Sequence, residues 1–409
     1  MNLYMMISMH KGISQRLLAI LFLIIVSGCV EPFEIETNNF ESILVINTTI
    51  TDEMKNQQIL LSRTFKAEEE IDSRERNASV IIRDNNGIEY NFEEVDPGKY
   101  ISEQEFSAVP GREYQLFINT QDGRSYISDK AILPQQTSIE NVYPVRMFNN
   151  NGEEGVGILV DSFDPTGNSV YYRYEYEESY RIRAPFWVPV DLNSVSFDVV
   201  FDFEFSERSE RQRICYNNGF SSNINVTNTT AVAEDRVTGH QVRFIDALDI
   251  RVADRYSILV RQFVQSREAN GFYQTLASFS ESESLFSQVQ PGFINGNIVS
   301  AIDSNERVLG FFNVSSVSTK RIFFNREDII GDLPRFNPGC DRISPIPEPD
   351  ESFEEFAGRL QALINTGRVK FLEENRMPVS GEGPLVFMDR PCGDCTAFGR
   401  SDPPAFWVD

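Results

Sequence analysis

Ser79-Val80-Ile81-Ile82-Arg83 runs into Asp84-Asn85-Asn86-Gly87, and Tyr90 and Phe92 follow at alternate positions before Asp96-Pro97-Gly98. A β-branched apolar run, a turn of residues that tolerate positive φ, and a second alternating run mark a hairpin. The pattern extends in both directions. Upstream, Ile43–Ile50 and Gln58–Phe65 are aliphatic and β-branched, with Thr51-Asp52-Glu53-Met54-Lys55-Asn56 as the turn between them. Downstream, Tyr100 opens a strand, Val109-Pro110-Gly111 precedes Tyr114–Ile118, and Gln121-Asp122-Gly123 precedes Ser125-Tyr126-Ile127. Seven short strands separated by turn residues predict an immunoglobulin-like or transthyretin-like sandwich over residues 41–131.

Leu133-Pro134 reads as the exit from that sandwich, and a larger β-rich, fibronectin-like domain is expected over 132–335. It begins near Ile139. Its expected strands are Val156–Val160, Val170–Tyr176, Tyr180 through Val190, Val195–Phe205, Tyr256–Val264, Asn297–Ile302, Val308–Val314 and Lys320–Phe324. Ser266–Ser284 breaks the alternation: Phe272, Leu276 and Phe279 share a helical face, with Ser266 placed to cap it. Leu333–Pro349 is a proline-rich break. Residues 336–409 form a cysteine-containing C-terminal region, expected to pack on the second domain. There Phe353, Phe356, Leu360, Leu363 and Ile364 form one apolar stripe, ending where Gly367 stops the helix. The stripe reads as core, with a groove-filling role toward a partner as the alternative.

The first 28 residues read as a signal peptide. Lys11 and Arg16 precede Leu17–Val26, ten apolar residues, which is too short for a spanning helix of about 20. Val26-Ser27-Gly28-Cys29 resembles the lipobox of bacterial lipoproteins, which implies cleavage before Cys29 and lipidation of its sulfur. Residues 29–40 are then a lipidated tether, and the membrane is a partner through acylated Cys29.

The chain carries 37 basic and 61 acidic residues, a net charge of −24, and −26 once Lys11 and Arg16 leave with residues 1–28. Such a surface repels phosphate backbones, so no nucleic-acid partner is expected. His10 leaves with the same segment, and His240 alone remains. Designs that need histidine as base or ligand are strained by that shortage, so no catalytic residue, metal or cofactor is expected. His240, beside an expected strand at Gln241–Ile245, reads as structural or exposed. Cys215, Cys340, Cys392 and Cys395 are an even set in an exported chain and predict two disulfides, with three pairings open. Phe186-Trp187 and Phe406-Trp407 hold the two tryptophans, read as core or interface in preference to a ligand platform. No ligand-binding residue is named.

Cys392-Gly393-Asp394-Cys395-Thr396, with Gly399, Pro403 and Phe406-Trp407, resembles a family of outer-membrane lipoproteins of Bacteroidota catalogued only as a domain of unknown function. Supporting stretches are the Cys29 start, Leu44-Val45-Ile46 with Ile50-Thr51-Asp52, Cys215-Tyr216, Gly296-Asn297-Ile298 and Val308-Leu309-Gly310-Phe311-Phe312. The resemblance implies an immunoglobulin-like domain followed by a larger β-rich one. It also implies a binding or assembly role beside a SusC-like TonB-dependent receptor in nutrient uptake. Glu31, Glu34 and Glu36 partly resemble an export signal to the cell surface, which favours the surface face of the outer membrane over the periplasmic face; a solvated tether explains them equally well. The alternatives are a surface adhesin or structural protein, and a carboxylate-based glycoside hydrolase, since two carboxylates suffice for that chemistry.

Overall fold

Glu113-Tyr114-Gln115-Leu116-Phe117-Ile118-Asn119 alternates so that Tyr114, Leu116 and Ile118 are buried while their neighbours face outward. That period of two is what a pleated strand with one covered face requires. The computed structural model describes residues 42–65, 72–281, 294, 296–375 and 381–409, and residues 43–64 and 71–409 group into one compact unit. The fold is mainly β. In its first part the strands are β1 (Leu44–Thr51), β2 (Gln58–Arg63), β3 (Ser79–Asp84), β4 (Glu89–Asp96), β5 (Lys99–Ser102), β6 (Glu113–Asn119), β7 (Ser125–Ser128) and β8 (Ala131–Ile132). The hairpin expected from residues 79–92 is present: Val80 pairs with Phe92 and Ile82 with Tyr90. The Asp96-Pro97-Gly98 turn needs its glycine. Gly98 has φ +70°, and a Cβ there would lie 2.5 Å from the Leu61 carbonyl.

The second part comprises β9 (Ile139–Phe148), β10 (Glu154–Phe163), β11 (Tyr171–Arg183), β12 (Val190–Phe197), β13 (Phe201–Glu207), β14 (Ile214–Phe220), β15 (Asn225–Asn228), β16 (Arg236–Asp246), β17 (Arg255–Val264), helix α1 (Arg267–Glu281), β18 (Ile298–Ser300), β19 (Val308–Asn325) and the short helix α2 (Arg326–Ile330). Ser266 caps α1 as expected, its Oγ accepting from the Ala269 N–H at 3.1 Å. The C-terminal region adds β20 (Arg342–Ile343), α3 (Phe353–Asn365), β21 (Val369–Glu374), β22 (Leu385–Asp389) and α4 (Arg390–Gly393).

One long sheet runs in the order β14-β11-β17-β19-β1-β2-β5-β4-β3-β6-β7-β18. Its hinge is β19, whose first half pairs in parallel with β1 and whose second half pairs antiparallel with β17. Beyond β1 the sheet curls around a first core that includes Ile50, Ile82, Tyr100, Leu116 and Phe312. Asn297 brings the far edge back to β19, accepting from the Phe312 N–H at 2.7 Å and donating to its carbonyl at 2.9 Å. The strands β11, β17 and β19 cover a second core with the sheet β16-β10-β9, burying Tyr174, Ile158, Val160 and Val260. A third core joins the β12–β13 hairpin to α3 and β20–β22 through Phe356, Leu360, Phe371 and Phe387. Each such side chain taken from water contributes roughly 1.5–3 kcal/mol.

Five expected strands are redrawn. Val170–Tyr176 and the Tyr180–Val190 run become one strand, β11, ending at Arg183. Val195–Phe205 is a hairpin that turns at Asp198-Val199-Val200. Val308–Val314 and Lys320–Phe324 are one continuous β19. The expected break at Leu333–Pro349 is irregular apart from β20, and α3 carries its stripe into the third core: Phe356 and Leu360 are buried, while Phe353 is half exposed. Ser352 and Glu355 form a capping box, and Gly367 at φ +64° follows the last turn.

Candidate functional site

Along β11, Tyr172, Tyr174, Glu178, Tyr180 and Ile182 point into the protein, so Arg173, Glu175, Glu177 and Arg181 face the other way. The same parity holds on the strands beside it. Arg261 and Phe263 on β17, Leu309 and Phe311 on β19, and Val45 and Asn47 on β1 share that outer face.

The outer face is covered at both ends. At one end α1 lies on it: the Phe272 ring sits 5.4 Å from Phe311, and Ala269 is fully buried. At the other end the C-terminal tail crosses it. Trp407 stacks edge-on against Tyr216 at 5.0 Å and Phe323 at 5.7 Å, and the Arg321 guanidinium lies 3.6 Å over the Phe406 ring. Arg255 donates to the Val408 carbonyl at 2.9 Å and Arg181 to Asp409 at 2.7 Å. Between helix and tail is an open groove of about 920 Å³, lined by residues of β1, β2, β11, β17 and β19 and by Phe220–Asn225.

The groove floor is charged and aromatic, and most of its charges are matched. Arg261 donates to Glu53 at 2.5 Å, and Lys55 reaches the same carboxylate at 2.6 Å. Burial alone would raise the Glu53 carboxyl, but the hydrogen bonds from Lys55 and Arg261 outweigh it and hold Glu53 below the usual carboxylate range. Arg173 pairs with Glu175, and its guanidinium lies over the Phe263 ring at 4.4 Å and the Tyr273 ring at 4.8 Å. An arginine held by a carboxylate and two aromatic rings is a stiff part of the floor. Glu177 differs: it is half-buried and its carboxylate makes no hydrogen bond or ion pair among the described residues. Its cross-strand partner is Phe220, which is 71% exposed.

Behind the floor, Glu178 is buried between the sheets. It accepts from the Tyr256 hydroxyl at 2.6 Å and lies 3.3 Å from Arg243 and 3.0 Å from Arg251. Burial first, then the adjacent carboxylate, pushes the Tyr256 phenol well above its ordinary range.

The structure pairs Cys215 with Cys395 and Cys340 with Cys392, with Cα separations of 5.5 and 5.6 Å. The two cysteines of Cys392-x-x-Cys395 thus go to different partners. The first bond fixes the root of the tail, where Tyr216 and Arg400 exchange backbone hydrogen bonds at 2.7 and 2.8 Å. His240 is half-buried against the Tyr174 ring at 5.0 Å, with Nε2 2.6 Å from Asn225 Oδ1, and burial lowers its pKa. Trp187 packs against the second core, with Arg213 over its ring at 5.6 Å. Cys29, Glu31, Glu34 and Glu36 lie outside the described residues.

The groove residues were not singled out by sequence reasoning. The one signal was the alternation in Tyr171–Arg183, which separates a tyrosine-rich inner set from a charged outer set. The motif stretches of the chain frame this groove: Val45 is paired with Leu309 and Ile46 with Gly310, while Gly296 abuts Gly310 so closely that a Cβ would lie 1.6 Å from its carbonyl oxygen.

No curated protein matches the chain. A protein family does match, over residues 30–321, a span that takes in the first core and the strands of the groove floor and stops short of the run from Cys392 to Trp407. With well over half of its length matched, the chain belongs to the family described as Domain of unknown function (DUF4249).

Proposed function

We propose that this protein is a lipid-tethered binding or assembly subunit of a TonB-dependent nutrient-uptake system at the outer membrane, working by contact and not by chemistry. The observation that supports this best is the groove between α1 and the C-terminal tail. Its floor is five paired strands, its arginines are held by carboxylates and rings, and Glu53 is kept ionised. A preorganised, largely charge-matched surface suits recognition, because little ordering is needed when a partner settles on it. A carboxylate kept ionised is suited to hold a cation and unsuited to donate a proton.

The reading draws on the signal-peptide pattern and Cys29 for attachment. Confinement to the membrane plane raises the effective concentration of a membrane partner, so modest contacts hold a complex. A SusC-like TonB-dependent receptor is the proposed partner, on the sequence resemblance, and the cell-surface face of the outer membrane is the proposed location.

The test is deletion of the gene in a native host, growth on candidate nutrients, and purification of the tagged receptor. The expected result is that the protein co-purifies with the receptor in the parent strain and that uptake falls in the deletion strain. A receptor that purifies alone, with uptake unchanged on every substrate it imports, would overturn the proposal.

A further inference from the structure

Glu177 and Phe220 stand directly opposite each other on β11 and β14, on the face that forms the groove. Directly paired residues of an antiparallel ladder have Cβ atoms about 5 Å apart, so ring and carboxylate form one surface. The other charges on the floor are taken: Arg173 by Glu175, Arg261 and Lys55 by Glu53. Glu177 acts through space on Arg321, which is itself engaged: it donates to Ser257 and lies over the Phe406 ring. The Glu177 side chain is left half-buried, without an ion pair or hydrogen bond among the described residues, beside an aromatic ring that is mostly exposed.

We propose that the groove takes an extended segment of a partner polypeptide carrying a lysine or arginine, whose cation sits between the Glu177 carboxylate and the Phe220 ring. This rests on the groove being the contact surface. A carboxylate and an aromatic face both favour a cation and gain from its being partly desolvated. The net charge of −24 draws basic segments toward the protein from a distance. The rest of the floor sets the length and character of the segment. From β14 across β11, β17, β19 and β1 to β2 is five strand spacings, roughly 24 Å, the reach of about seven extended residues. The far end is aliphatic: Val45, Leu60 and Leu309 line it, and Leu60 is 36% exposed. The segment therefore carries its basic residue at one end and an aliphatic residue about five or six positions away.

The experiment is selection of a random ten-residue peptide display library on the purified full-length lipoprotein in detergent, repeated with Glu177→Gln, Phe220→Ala and Leu309→Arg. Surface cation–π and ion-pair contacts together give about a tenfold preference for a basic residue over a neutral one. The expected result is enrichment of Lys or Arg at one position, with an aliphatic residue five or six places away. Glu177→Gln and Phe220→Ala should each cut the basic preference to about threefold while thermal melting stays unchanged. Enriched peptides without a basic residue, a basic preference undiminished by Glu177→Gln, or no enrichment would each overturn the proposal. If neutral peptides are enriched and Leu309→Arg removes them, the groove stands as a contact surface and only the cation assignment fails. If Leu309→Arg leaves the selected peptides unchanged, the groove itself is wrong.

Discussion

Glu178 shows how a single residue couples two sheets. It projects from β11 into the interior, where Arg243 of β16, Arg251 and the Tyr256 hydroxyl converge on it. Its side chain is 3% exposed, whereas Arg243 and Arg251 are 23% and 36% exposed. Removing one member of a buried ion pair costs about 3–5 kcal/mol because the remaining charge is stranded. Since both arginines keep some contact with water, Glu178→Ala should cost an amount near the lower end of that range. Urea unfolding should show a lower midpoint with an unchanged slope. A midpoint equal to that of the unaltered protein would contradict the assignment. At this scale the sequence was half legible. The alternation of Tyr171–Arg183 gives the side on which Glu178 lies, but a buried glutamate looks like any other glutamate until its arginines, 65 and 73 residues away, are brought to it. Glu177 was illegible for a related reason: an outward charge is the normal state of a strand residue, and only the neighbouring strands distinguish it.

Among the elements, β19 and the disulfides carry most of the organisation. The break read between Val314 and Lys320 reflects Ser315, Ser316 and Ser318, which interrupt the apolar pattern. These residues lie where β19 passes from one core to the other, and there the strand needs polar partners. Ser316 donates to the Gln135 carbonyl at 3.2 Å, and the Val317 N–H donates to Asp52 at 2.9 Å. The hairpin at 190–207 was missed because Asp198-Val199-Val200 offers no glycine or asparagine to mark a turn. Cysteine pairing depends on tertiary contacts that spacing does not encode. The bonds close loops of 180 and 52 residues, about 5 and 4 kcal/mol in the chain-entropy account. Trypsin digestion of the unreduced protein should yield one three-peptide species, with residues 377–400 joined both to residues 214–236 and to residues 336–342. A free 377–400 peptide with an internal bond, accompanied by 214–236 linked to 336–342, would contradict the pairing.

Among the described residues, a long sheet bends around two cores, a third core is attached, and an outer face of the sheet is left open between helix and tail. Its mainly β character followed from periodicity and turn residues. The sharing of β19 did not, because a strand that serves two cores looks from sequence like two strands. The proposed use of this architecture is contact: a tethered protein offering a rigid groove to a membrane partner. The groove is where that contact must occur if the account is right, so the direct measurement is photo-cross-linking in the native membrane. Benzoylphenylalanine would replace Phe220 or Leu60 in the groove, or Val95 on β4 outside it, with all three exposed. The account predicts that positions 220 and 60 cross-link to an outer-membrane TonB-dependent receptor and that position 95 does not. Cross-links to that receptor from position 95 alone, or none from the groove in cells that import normally, would contradict it.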